Sequence, residues 1–203
     1  MKLRIKGFPT NINEPLVLKA TRFRHKSIQP NYCLIIENKT IINEEYNTEI
    51  ILSTATHLIE DYSGKCIFKV KDLSHISEDD ILYLGNDGNI KTMYRVNSRQ
   101  NYILLTERCN SNCLMCSQPP KDRDDIGFLH EIHLKLIPLI PKYCNELILT
   151  GGEPTLLGPK FFNLLDIIKK ELPNTEIHIL TNGRIFAINK IAERLSKVNN
   201  PRV

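Results

Sequence analysis

No apolar run in this chain approaches the ~18 residues that a membrane-spanning helix needs, so no transmembrane segment is expected. The N-terminal stretch Met1-Lys2-Leu3-Arg4-Ile5-Lys6 is charged but lacks the apolar core of a secretion signal. There is no block of one charge sign. The formal net charge of +4 is spread over both halves, so charge gives no reason to invoke a nucleic acid. Internal repeats and low-complexity tracts are absent. His25, His57, His75 and His178 are each isolated, and none suggests a catalytic role. A cytoplasmic protein with neither a membrane nor a nucleic-acid partner is expected. In a reducing compartment, clustered cysteines point to metal binding or catalysis rather than to disulfides.

What the chain has is 203 residues, 41% hydrophobic and 25% charged, which suits one large or two small globular domains. Residues 1–100 read as a small, mostly antiparallel β domain. Candidate strands are Lys2–Phe8, Val17–Arg24, Cys33–Glu37, Glu49–Ser53 and Lys65–Val70, rich in Ile, Leu, Val, Tyr and Phe. Ile81–Gly85 and Ile90–Val96 flank Asn86-Asp87-Gly88-Asn89, a hairpin signal. The basic cluster Arg22-Phe23-Arg24-His25-Lys26 reads as a solvated strand face. Nothing in this half marks a chemical site.

The pattern changes in residues 101–203. Tyr102–Thr106 is a buried-type strand. A helix follows from about Asp125 to Ile140, with Leu129, Ile132, Leu136, Leu139 and Ile140 on one face and a kink expected at Pro138. Next come strand Glu146–Thr150, a helix from Pro159 to Glu171, strand Glu176–Leu180, and a last helix carrying Ile188, Ile191, Leu195 and Val198. Pro159 suits a helix start. The order β-α-β-α-β-α calls for a parallel sheet. The fold class is therefore α/β.

Functional sites in such folds lie at the carboxyl ends of the strands, and three features fall there, one per strand. Cys109-Asn110-Ser111-Asn112-Cys113-Leu114-Met115-Cys116 follows the first. Three thiolates this close can hold one inorganic centre. Four would fill the corners of a four-iron cluster, whereas three leave an iron open to a further ligand. Gly151-Gly152-Glu153-Pro154 follows the second strand. Its glycines permit close backbone approach to a ligand, and its carbonyls or the Glu153 carboxylate can accept hydrogen bonds from a ligand ammonium. Thr181-Asn182-Gly183 ends the third.

The bland alternative for the cysteines is a structural zinc site, because Cys113 and Cys116 have zinc-like spacing. Zinc would want a fourth ligand, and the nearest histidines, His130 and His133, fall on a helix. Cys33, Cys66 and Cys144 are scattered and read as small buried hydrophobes. Asp122, Asp124 and Asp125 read as a solvated turn and a helix N-terminal charge, with a lip that meets substrate as the weaker alternative.

Together these residues resemble the radical S-adenosylmethionine (SAM) superfamily. The resemblance implies a [4Fe-4S] cluster on Cys109, Cys113 and Cys116. It also implies that Gly151, Gly152, Glu153 and Pro154 grip the amino group of S-adenosyl-L-methionine, with Thr181 and Asn182 as further contacts. Reductive cleavage of that cofactor would then generate a 5′-deoxyadenosyl radical that abstracts hydrogen. Met115 stands where the family often has an aromatic residue. Over roughly residues 80–185 the chain looks like the C-type radical SAM maturase of the His-Xaa-Ser repeat peptide system. That likeness implies a ribosomally made peptide substrate, an electron donor and a companion maturase. At ~30 residues per β-α unit, residues 101–203 supply three units. The expectation is thus an incomplete radical SAM-type parallel barrel, stopped before a fourth strand, behind the small β domain. Two runner-up readings remain: a catalytically inactive cluster-binding fragment, and a 7-carboxy-7-deazaguanine synthase-like enzyme.

Overall fold

Cys33-Leu34-Ile35-Ile36 and Ile50-Ile51-Leu52 are unbroken apolar runs rather than alternating ones. Such runs suit strands buried on both faces, the condition of parallel strands inside a sheet. A computed structural model describes residues 4–37, 41–42, 48–58, 63–198, 200 and 202. In it the chain forms two units, Met1–Asn97 and Ser98–Val203.

The first unit is built from β1 (Arg4–Lys6), β2 (Phe8–Thr10), β3 (Leu16–Thr21), a short helix α1 (Arg24–Ser27), β4 (Tyr32–Ile36), β5 (Ile41–Ile42), β6 (Ile50–Ser53), β7 (His57–Leu58), β8 (Cys66–Phe68), β9 (Ile81–Leu84) and β10 (Asn89–Tyr94). Eight of these strands form one sheet in the order β1-β10-β9-β3-β4-β6-β8-β2, and β5 pairs with β7. The expected mostly antiparallel domain is corrected to a mixed one. β1, β10, β9 and β3 are joined antiparallel, but β3-β4-β6-β8 run parallel. The β9–β10 hairpin forms where the Asp-Gly turn placed it.

The expected strand Lys2–Phe8 begins with residues outside those described and breaks at Gly7, with β1 and β2 pairing at opposite ends of the sheet. One bent strand therefore draws both ends together. A Cβ on Gly7 would lie 2.6 Å from the Ile67 side chain, and its N–H donates to the Gly88 carbonyl at 3.0 Å. One face of the sheet buries Leu18, Cys33, Ile35, Ile50, Leu52, Ile67 and Leu82. The other buries Leu34, Ile36, Ile51 and Cys66, with Leu58 of β7 packed on them.

The basic cluster is not a strand face. β3 stops at Thr21, and Arg24–Ser27 is helical. Arg22 turns back to pair with Glu37 at 2.9 Å, and Lys26 pairs with Glu78 and Asp79 at 3.1 and 3.0 Å.

The second unit contains β11 (Tyr102–Leu104), α2 (Ile126–Leu136), β12 (Glu146–Thr150), α3 (Pro159–Glu171), β13 (Glu176–Ile179) and α4 (Asn189–Val198). Its strands lie parallel in the order β11-β12-β13. This is an α/β arrangement compatible with the expected fold type; among the described residues it does not close into a barrel. α2 ends at Leu136, and a 3-10 turn over Ile137–Leu139 absorbs Pro138. The apolar stripe of α3 is buried as the periodicity predicts, through Phe161, Phe162, Leu164, Leu165 and Ile168. α4 follows a 3-10 turn at Arg184–Ala187 and buries Val198. On the far side of β13, the Ile177 N–H donates to the Arg202 carbonyl at 2.7 Å. Among the described residues no helix is long and apolar enough to cross a membrane.

Candidate functional site

The three parallel strands deliver their carboxyl ends to one side of the sheet, and the cysteine loop, the glycine turn and Thr181–Gly183 follow them directly. Pairing between the first two exits continues beyond the strands. Leu105 N–H donates to the Thr150 carbonyl (2.7 Å), Gly152 N–H to that of Thr106 (2.8 Å) and Glu153 N–H to that of Arg108 (2.8 Å). A Cβ on Gly152 would sit 2.0 Å from the Arg108 oxygen and 3.0 Å from the Cys109 nitrogen. No side chain fits there, which is the physical need for glycine. The close approach is therefore made by the chain's own backbone, immediately before the first cysteine. Because the Gly152 and Glu153 amides are engaged by this pairing, a ligand cation at the turn would meet carbonyls.

Glu153 is fully buried. Its Oε1 accepts from Thr155 N–H (3.0 Å), the Thr155 hydroxyl (2.6 Å) and the Thr181 hydroxyl (2.7 Å). Its Oε2 accepts from Asn182 N–H at 2.8 Å. Burial pushes the carboxyl up, but the hydrogen bonds from Thr155, Thr181 and Asn182 outweigh it and hold Glu153 below its ordinary value. A carboxylate has about four acceptor positions, and four donors already occupy this one. Glu153 thus fastens the second strand exit to the third. Of the two acceptors expected for a ligand ammonium, the turn's carbonyls suit it better than this side chain. Pro154 is buried and starts a 3-10 turn.

The cysteine loop is held at two places. At its base, the buried Asp125 accepts from the Thr106 hydroxyl at 2.5 Å and from Glu107 N–H at 2.8 Å. Burial raises the Asp125 carboxyl, but these bonds and the Arg123 charge prevail and lower it. Glu107 in turn pairs with Lys121 at 2.6 Å and Arg123 at 2.9 Å. Asp125 stands at the N-terminus of α2 as expected from sequence, but it is buried rather than solvated, and it ties the two ends of the loop together. Near the crown, Asn182 Nδ2 donates to Asn110 Oδ1 at 2.8 Å, and an Arg184 NηH donates to the Asn110 carbonyl and the Ser111 hydroxyl, each at 3.3 Å.

Cys109 is half-buried, Cys113 and Cys116 are exposed, and all three are free thiols. Soft sulfur donors of this kind suit an iron–sulfur cluster, so the donor set fits. Among the described residues no three His, Cys, Asp or Glu side chains stand close enough to hold a metal ion. The three thiols therefore do not stand around one point without a rearrangement of the loop; within its exposed Asn112–Cys116 arm, Cys116 N–H donates to the Cys113 carbonyl at 3.1 Å. Leu114 and Met115 project fully into solvent. A cavity of about 240 Å³ lies beside the arm, lined by Leu104, Glu107, Gly152, Ser117, Gln118 and Lys121.

Cys33, Cys66 and Cys144 are buried, as expected; burial pushes the Cys33 and Cys66 thiols up to about 12. His130 and His133 are buried in α2. Sequence reading passed over Arg184 and the acceptor role of Asn110. Their only local signal is position, since both sit beside motif residues.

No curated protein and no solved structure matches the chain. The family model described as Radical SAM superfamily matches residues 103–203, so the stretch that carries the cysteine loop, the glycine turn and the Thr181–Gly183 exit is similar to a radical SAM domain.

Proposed function

We propose that this chain acts as a radical SAM enzyme that modifies a ribosomally made His-Xaa-Ser repeat peptide. One observation carries the enzyme reading: three motifs separated in sequence are hydrogen-bonded to one another at the strand ends, through Arg108–Glu153, Glu153–Asn182 and Asn182–Asn110. In this reading Cys109, Cys113 and Cys116 hold a [4Fe-4S] cluster, and the Gly151–Gly152 carbonyls receive the amino group of S-adenosyl-L-methionine. When bound, the cluster supplies the electron that cleaves the cofactor. The chain's own part is to fix the turn, close the base of the loop through Asp125 and Glu107, and present the cavity beside Gln118. The peptide substrate, a companion maturase, an electron donor and a cytoplasmic setting rest on the likeness of Asn101–Pro120 to the C-type maturases.

The test is anaerobic reconstitution with iron and sulfide, read by absorbance and iron content. The parent should gain the cluster, and Cys113→Ala should lose most of it. Equal iron in the two would overturn the assignment, as would binding of zinc alone. Incubation with S-adenosyl-L-methionine and a strong reductant should yield 5′-deoxyadenosine. Adding a His-Xaa-Ser repeat peptide should change that peptide's mass, and an unchanged peptide alongside 5′-deoxyadenosine would remove the substrate while leaving the enzyme class.

A further inference from the structure

The two arms of the cysteine loop are held very differently. The first arm is fixed on both sides. The Arg108 carbonyl accepts from Glu153 N–H, and the Cys109 nitrogen faces the Gly152 Cα where a Cβ would intrude. Two residues later, Asn110 and Ser111 are gripped by Asn182 and Arg184 from the exit of β13. The second arm, from Asn112 to Cys116, is exposed, and the Cys116 thiol donates to the Gln118 carbonyl at 2.9 Å.

Asn182 is also well anchored. Its N–H donates to the buried Glu153 carboxylate at 2.8 Å, and its Oδ1 accepts from Arg184 N–H at 3.1 Å. The donor that reaches Asn110 is thus mounted on a rigid support, the arrangement that lets a side chain orient a ligand-bearing residue.

We propose that Asn182 and Arg184 are positioning residues that clamp the Asn110–Ser111 arm, so that Cys109 stands ready as the fixed ligand on which Cys113 and Cys116 close when the cluster binds. The inference rests on the cluster reading above, and it goes beyond it by assigning the order in which the thiols are organised. Asn182, expected from sequence as a cofactor contact, also acts through the loop. Cluster retention then depends on a clamp that contributes no ligand. Losing it frees the first arm, and each opening of the loop exposes iron to solvent.

The experiment compares the full-length parent with Asn182→Ala, Asn110→Ala, Asn110→Asp and Arg184→Ala after anaerobic reconstitution. The readouts are iron release to a chelator in the absence of S-adenosyl-L-methionine and the electron paramagnetic resonance signal of the reduced cluster. Asn182→Ala and Asn110→Ala should each speed iron release about fivefold, the effect of one net hydrogen bond. The double variant should be no worse than Asn182→Ala, because that variant already removes the contact the two residues share. Asn110→Asp keeps the acceptor and should release iron at the parent rate. Arg184→Ala should also speed release. Thermal unfolding of the apo forms is the control, and the variants should melt with the parent.

Parent-like release from Asn182→Ala and Asn110→Ala would overturn the clamp while leaving the cluster in place. So would additive effects in the double variant, or iron loss that tracks a lowered melting temperature. A parent that takes up no cluster would instead overturn the reading beneath it.

Discussion

The Asn182 N–H donates to Glu153 Oε2 at 2.8 Å, joining the exit of the third parallel strand to the glycine turn of the second. This bond and the Thr181 hydroxyl on Oε1 make a buried carboxylate the junction of the site. An ionised carboxyl this dry persists because its donors compensate for lost water.

Replacing Glu153 by Gln should therefore destabilise the second unit by about 1–3 kcal/mol, since an amide hydrogen then faces donors that had a carboxylate to bond. Chemical denaturation of the apo protein measures this.

Stability should also fall in acid for a defined reason. The Glu153 and Asp125 carboxyls are held below their ordinary values of 4.5 and 3.8. A depressed group contributes stability that is present above its unfolded value and lost as pH falls through its folded one. The parent should thus weaken progressively below about pH 4.5, and Glu153→Gln should show a shallower acid limb in urea titrations at stepped pH.

His130 adds a second, milder slope. Burial first, and the nearby Lys160 charge second, lower its imidazole from 6.5. Unfolding therefore takes up a proton below pH 6.5, and stability held above that pH declines as pH drops. Proton NMR should find the His130 resonance titrating below 6.5, unlike an exposed imidazole.

Gly152→Ala is expected to be costly despite its small size. The new methyl would start 2.0 Å from the Arg108 oxygen, and forced displacement of packed backbone costs about 1–3 kcal/mol. The same variant should retain less iron after reconstitution, because Arg108 leads directly into Cys109.

Thiol labelling should separate Cys113 and Cys116 from Cys33 and Cys66. Cys113 and Cys116 are exposed and should react first with an alkylating reagent. Cys33 and Cys66, buried with thiols pushed up to about 12, should react only after unfolding. Peptide mass spectrometry after brief labelling reads the order.

Much of this architecture is local and could be read from the chain alone. The helical stripe of α3, the Asp-Gly hairpin and the β-α alternation depend on residues within a turn or two of each other. The three motifs follow their strands for the same reason. Reading failed where an apolar run had two meanings. Cys33–Ile36 and Ile50–Leu52 pair in parallel with burial on both faces, and strand propensity carries no information about a strand's partner.

The sequence by itself determined that three thiols share one loop after β11, because covalent spacing limits how far apart they can stand. Only the tertiary structure decided what surrounds them. Asn182 meets Asn110 across 72 residues, and Asp125 meets Thr106 across 19. Contacts at such separations arise from the packing of whole strands and helices, which decides that Glu153 serves the chain and that Gly152 makes room for Arg108.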